Sequence, residues 1–170
     1  MINTSQLRSF MLVLILTLTL APSCFTQQPF EGGIEPIANK TENPKSSLES
    51  DILAHINKYR QSKGLAALVA APSIAAQAEK HSADMAAKKV AFSHNGFENR
   101  VKLISHQLGV LKQSAENVAY GKLGAKEVVD IWLKSPGHRK NIEGKYQLTG
   151  IGIATDKTGT IFFTQIFASK

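Results

Sequence analysis

The sequence predicts an α+β fold, a three-layer α-β-α sandwich with a short central antiparallel sheet. Several segments repeat apolar residues at helical spacing, two strand-like runs flank a turn signal, and the last run is apolar on both faces. An antiparallel strand with two apolar faces must be covered on both sides. The helical segments are the elements available to cover it.

Leu48, Ile52, Ile56 and Tyr59 recur at helical spacing after Ser46 and Ser47, which are candidate N-caps. Gly64 ends this first helix, and Leu65 and Leu68 are expected to be buried in the connection. Pro72 suits the first turn of a second helix. Ile74, Ala78, His81 and Met85 form one stripe of it. That places His81 on the core face, where a hydrogen-bonded packing role is expected rather than a ligand's. His55 borders the apolar stripe of the first helix and is read the same way.

Val101 and Ile104 suggest a short third helix over residues 99–105, broken by Gly109, and a short strand is expected around Val118 and Tyr120. Ala125, Val128, Val129 and Trp132 make one face of a fourth helix that runs to about Lys134. Pro136-Gly137 is expected to stop it. Residues 148–155 and 160–168 read as strands joined by Asp156-Lys157-Thr158-Gly159, a hairpin signal. In the second strand Ile161, Phe163 and Phe167 point one way, and Phe162, Ile166 and Ala168 the other.

The chain has 170 residues and divides into three parts. Residues 1–23 read as an export signal: Arg8 precedes an apolar run over residues 10–20, followed by the small residues Ala21 and Ser23. The run falls short of the roughly 20 residues that span a bilayer. Cys24, the only cysteine, follows directly. Two cleavage readings stand open, a general signal peptidase or a lipoprotein peptidase that leaves Cys24 as a membrane tether. Residues 24–46, rich in Gln, Pro, Gly, Asn, Lys and Glu, read as a flexible tether. Residues 47–170 have the length of one domain and contain no cysteine, so no internal disulfide supports them. They hold 17 Lys+Arg against 10 Asp+Glu, the whole +7 excess. Such an excess reads first as a solvated basic surface, with attraction to an anionic envelope surface or glycan as the functional alternative. The scattered basic residues lack interleaved aromatics, which argues against nucleic-acid binding.

Three polar positions interrupt apolar or turn context: His94 in Phe92-Ser93-His94-Asn95-Gly96, Glu116 in Ala115-Glu116-Asn117-Val118-Ala119, and His138 in Ser135-Pro136-Gly137-His138-Arg139. Each is predicted at the end of an element, where sites sit on a rigid scaffold. Two imidazoles and a carboxylate suit zinc or another divalent metal, with Glu116 as ligand or base. They equally suit metal-free acid/base work. Asn117 and Asn141 are expected to brace backbone near the cleft, Arg139 to form a surface ion pair or else meet an anionic ligand, and His106 to be solvated. Gln165 needs a partner if buried, and a cleft histidine is the expected one. Nothing marks Ser93 or Ser135 as a nucleophile.

These segments carry a family resemblance. The second helix running into Phe92-Ser93-His94 resembles the first signature of the CAP superfamily, the cysteine-rich secretory, antigen 5 and pathogenesis-related proteins. Ala115-Glu116-Asn117-Val118-Ala119 is similar to its Gly-Glu-Asn-Ile-Ala segment, with Ala115 in place of Gly. Residues 132–142 are similar to the Trp-x-x-Ser-x-Gly-His-Arg-x-Asn-Ile element of the bacterial branch. Gly150-Ile151-Gly152 and Phe163-Thr164-Gln165-Ile166-Phe167 resemble the closing strands.

The resemblance implies an α-β-α sandwich whose cleft holds two histidines and two acidic residues. His94, Glu116 and His138 match three of these, and the shortened turn before His138 carries no second acid. Three functions are compatible with this set. One is an envelope-associated or extracellular binding module for a lipid, glycan or protein. The second is a metal-dependent, peptidase-like hydrolase with His94, Glu116 and His138 as catalytic candidates. The third is a structural domain with a relic cleft. The missing acid and nucleophile favour the binding module over the hydrolase, and the retained histidines and Glu116 speak against the relic.

Overall fold

The structure, a computed structural model, describes residues 44–170. The expected export run, Cys24 and residues 24–43 of the expected tether lie outside the described residues. Helix α1 (Pro44–Ser62) begins inside the stretch read as tether. A proline fits there because the first helical position has no N–H bond to lose. Then follow β1 (Val69–Ala70), α2 (Pro72–Ala86), α3 (Phe97–Leu108), β2 (Gln113–Gly121), α4 (Ala125–Lys134), α5 (Pro136–Ile142), β3 (Leu148–Thr155) and β4 (Ile161–Ser169). No helix among the described residues is long and apolar enough to cross a membrane.

The sheet order is β1-β3-β4-β2. Both β4 pairings are antiparallel, as expected. The two-residue β1, not anticipated from the sequence, adds a parallel edge to β3. Central β4 meets the two-sided covering that its sequence demands. Phe163 and Phe167 pack with Ile52 and Ile56 of α1, Val128, Val129 and Trp132 of α4, and Ile142 of α5. Ile166 and Ala168 pack with Ile74 and Ala78 of α2 and Ile104 of α3. The three layers are therefore α1/α4/α5, sheet, and α2/α3.

Contact between α2 and the sheet is backbone to backbone. A Cβ added at Gly150 would lie 2.1 Å from the Ala75 nitrogen, and one at Gly152 2.0 Å from the Glu79 nitrogen. Only glycine permits that approach. Ser82 fastens it by donating to the Gly152 carbonyl at 2.8 Å, with Thr164 Oγ1 also 2.8 Å away.

Helix α4 ends at Lys134, ahead of Pro136-Gly137, as expected, but another helix and not a loop follows. Ser135 closes α4 and at once opens α5, with Pro136 in its first turn. Helix α3 is longer than expected, because Phe97 and Leu108 extend its apolar face. Leu68 is buried as expected, while Leu65 is half-buried.

Arg60 is an unforeseen core residue, 2% exposed at the end of the α1 stripe. It donates to the carbonyls of Ala66, Ile142, Gly144 and Tyr146 at 2.6–3.3 Å. Those bonds tie α1 to the turn after α5 and offset the cost of burying a charge. That burial pushes the guanidinium pKa down.

The glycine contact gives a direct test. Gly152→Ala is expected to cost at least about 3 kcal/mol in denaturant melts, the upper end of overpacking penalties. Gly137→Ala, where no atom lies within 4 Å of the added carbon, is expected to be neutral or stabilising by up to about 1 kcal/mol.

Candidate functional site

His94 lies in the loop between α2 and α3, Glu116 in β2, and His138 in the first turn of α5. Strand β2 links them through its alternation. Glu116 serves the α3 side and its neighbour Asn117 the α5 side.

On the first side, Glu116 Oε1 lies 2.9 Å from His94 Nδ1. Arg100 of α3 grips the same carboxylate as a fork, Nε to Oε2 at 2.9 Å and Nη2 to Oε1 at 2.8 Å. The Glu116 side chain is 1% exposed. A carboxylate so buried needs a paired cation, and Arg100 supplies it. Nη1 of Arg100 also donates to the Asn95 carbonyl at 2.9 Å, closing the ring around the His94 loop. A carboxylate can only accept, so the proton of neutral His94 sits on Nδ1 and its Nε2 is an open lone pair.

On the other side, Asn117, fully buried, donates to the His138 carbonyl at 3.2 Å. Asn141 of α5 donates to Asn117 Oδ1 at 2.9 Å and to the Glu116 carbonyl at 3.2 Å. Trp132 Nε1 reaches the Val118 carbonyl at 3.3 Å. The asparagines thus brace backbone, as the sequence suggested. The His138 ring is half-buried, with Nδ1 enclosed and unpartnered. Burial, reinforced by nearby His94, lowers its pKa.

His94 and His138 line one cavity of about 440 Å³, with Phe92, Val118, Tyr120, Leu123 and Ile131. The wall is aromatic and open to solvent. Phe92 meets Tyr120 edge-on at 4.7 Å, and Tyr120 stacks on Phe162 at 5.8 Å. Tyr120 is 58% exposed and Ile131 45%. Apolar groups left in water beside two imidazoles can receive an apolar group.

The donor set was read from the sequence as His94, Glu116 and His138 together. Both Glu116 oxygens are taken up by His94 and Arg100, so Glu116 stands behind His94 and not beside it. No group of three His, Cys, Asp or Glu able to hold a metal occurs among the described residues. The residues that could hold an ion are the two imidazoles of that cavity. A carboxylate such as Glu116 on His94 Nδ1 is a common partner of a metal-bound histidine. No second carboxylate hydrogen-bonds either histidine among the described residues.

Arg100 is the functional residue that the sequence reading missed. Its signal was its place four residues before Ile104 on the buried face of α3, where an arginine requires an acid. Gln165 bonds Thr149 Oγ1 at 3.1 Å and not a cleft histidine. Among the described residues Arg139 forms no ion pair, and its side chain donates to the Leu133 carbonyl at 3.3 Å. His55 and His106 are exposed. His81 is buried and hydrogen-bonded, as expected.

The model of the CAP family, the cysteine-rich secretory protein family, matches residues 53–167. The chain belongs to this family. A curated relative, Bacillus subtilis YkwD, is 30% identical over 132 residues, covering 74% of this chain. The chain spans about half of that relative, 48% of its length. An extracellular SCP-domain protein of Bacillus anthracis superposes with a TM-score of 0.63 at 26% identity, covering 74% of this chain and 41% of that one. An outer surface protein of Borrelia burgdorferi shares the fold, with a TM-score of 0.67 at 16% identity over 75% and 96% of the two chains.

Two tests follow from the geometry. Arg100→Ala leaves a buried carboxylate unpaired, and denaturant melts are expected to show a loss of about 3–5 kcal/mol. Glu116→Gln in the same background is expected to recover part of it. The second test is pH. Burial lowers the pKa of both His81 and His138 below 6.5. As pH falls below 6.5 the unfolded chain takes up protons before the folded one, so stability is complete above that value and declines beneath it. Thermal melts with chelator present are expected to show a lower Tm at pH 5.5 than at pH 7.5, with a smaller difference in His81→Gln.

Proposed function

We propose that the chain is an exported, envelope-associated or extracellular binding module. Its cleft takes an apolar ligand group against Phe92, Tyr120 and Ile131, and it holds a divalent ion such as zinc between His94 and His138. The observation that carries this reading is the Glu116 bond to His94 Nδ1, which in the neutral imidazole makes Nε2 the free lone pair, in a cavity shared with His138. A bound ion would supply a Lewis-acid point for a carbonyl or anionic group of the ligand. Two protein donors leave most of the coordination sphere to solvent and ligand.

Binding is favoured over hydrolysis because both oxygens of Glu116 are occupied by His94 and Arg100, so it is not free to act as base for a water nucleophile. Ser93 Oγ donates to the Ala91 carbonyl and accepts from the Asn95 N–H, both at 3.2 Å, so it is not held as a nucleophile. The export reading draws on the apolar run before Cys24. It also draws on the relatives described as extracellular and outer-surface proteins.

Calorimetric zinc titration tests the reading. The protein is expected to bind one equivalent near neutral pH. Binding should weaken as pH falls below 6.5, because protons compete for the imidazoles. His94→Ala and His138→Ala should each weaken it at least about tenfold, and Glu116→Gln by about 10–100-fold. His106→Ala should leave it unchanged. Equal affinity in the wild type and the His94/His138 double variant would remove the metal from the account.

A further inference from the structure

We infer that His81, a core residue of α2, is a positioning residue of the cleft that sets the backbone from which His94 projects. The inference rests on the reading of His94 as the imidazole oriented by Glu116.

His81 is 4% exposed, and its Nε2 lies 2.9 Å from the Ser93 carbonyl. A carbonyl only accepts, so this nitrogen carries the proton and donates. Ser93 is the residue immediately before His94. The adjoining carbonyls are also taken: His94 O accepts the Phe97 N–H at 3.1 Å, and Asn95 O accepts Arg100 Nη1 at 2.9 Å. The loop is therefore clamped from two helices, by His81 of α2 and by Arg100 of α3.

The α2 clamp is referenced to the sheet. Ser82, the next residue, bonds the Gly152 carbonyl at 2.8 Å, and its helix lies against the glycine backbone of β3. Glu116 belongs to β2 of the same sheet. The His94 ring is thus fixed to the sheet at one end through its Nδ1 and at the other through His81, Ser93 and its own backbone. Simple packing would not require a proton on one particular nitrogen of His81, whereas this chain of contacts does.

A pair of amide substitutions separates positioning from packing. Gln at position 81 places its side-chain nitrogen near the imidazole Nε2 position, within reach of Ser93, and Asn places it near Nδ1, short of that carbonyl. Long-range proton–nitrogen NMR spectra of the metal-free protein read the His94 tautomer. The wild type and His81→Gln are expected to show the Nδ1–H form, and His81→Asn a mixture of both tautomers. Zinc affinity should fall about tenfold in His81→Asn and recover in His81→Gln. Identical His94 spectra in a folded His81→Asn variant would overturn the inference. A wild type that lacks the Nδ1–H form would instead overturn the Glu116 reading beneath it. Should His81→Asn not fold, a His94 tautomer in His81→Gln unlike the wild type's would overturn the inference, and a matching one would support it.

Discussion

Strand β2 places a carboxylate and a carboxamide next to each other, and its pleat sends them to opposite faces of the sheet. Glu116 goes to the α3 side, where Arg100 neutralises it and His94 is oriented by it. Asn117 goes to the α5 side, where it holds the His138 backbone. The cleft depends on this alternation. A slip of one residue in the β2 register would exchange the two faces and leave a carboxylate facing α5 without its arginine. The register is secured by nine consecutive pairings with β4, from Gln113 opposite Ser169 to Gly121 opposite Ile161.

The remainder of the fold keeps the two sides of that strand at fixed distances. On one side the Gly150 and Gly152 contact lets α2 rest on the sheet backbone, which sets the height of its C-terminal end and of the loop after it. On the other, Trp132 fills the α4 layer and also bonds the β2 edge. The Ser135-Pro136 junction then turns the chain so that His138 enters on a helix. Without a cysteine in the described residues, cohesion comes from two apolar layers and from buried polar ties such as Arg60 and the Arg100–Glu116 pair. Buried pairs of this kind are better suited to specifying geometry than to adding stability, and geometry is what a two-histidine cleft needs.

Much of this was legible in the sequence. The two-faced apolar pattern of β4 demanded helices on both sides, and both layers are present. The His94, Glu116 and His138 segments stood out because each broke its local pattern. Other features were illegible for identifiable reasons. The two-residue β1 is too short to show a period, and Pro136 carries the same signal whether it ends one helix or begins the next. The role of Glu116 depended on Arg100, sixteen residues away, and pairing across layers leaves no trace in local spacing. Residue types and the family resemblance put the three together, while spacing could not show that Glu116 lies behind His94, bonded to it and to Arg100.

The two histidines consequently face one apolar-walled cavity from opposite sides of a single strand. Paramagnetic broadening tests this arrangement most directly, because it falls steeply with distance from the ion. Ring-proton signals of the five histidines would be followed while cobalt(II) is added up to one equivalent. The account predicts that His94 and His138 broaden together and ahead of His55 and His106. Broadening of only one of the two, or of each at a separate equivalent, would contradict a shared cleft.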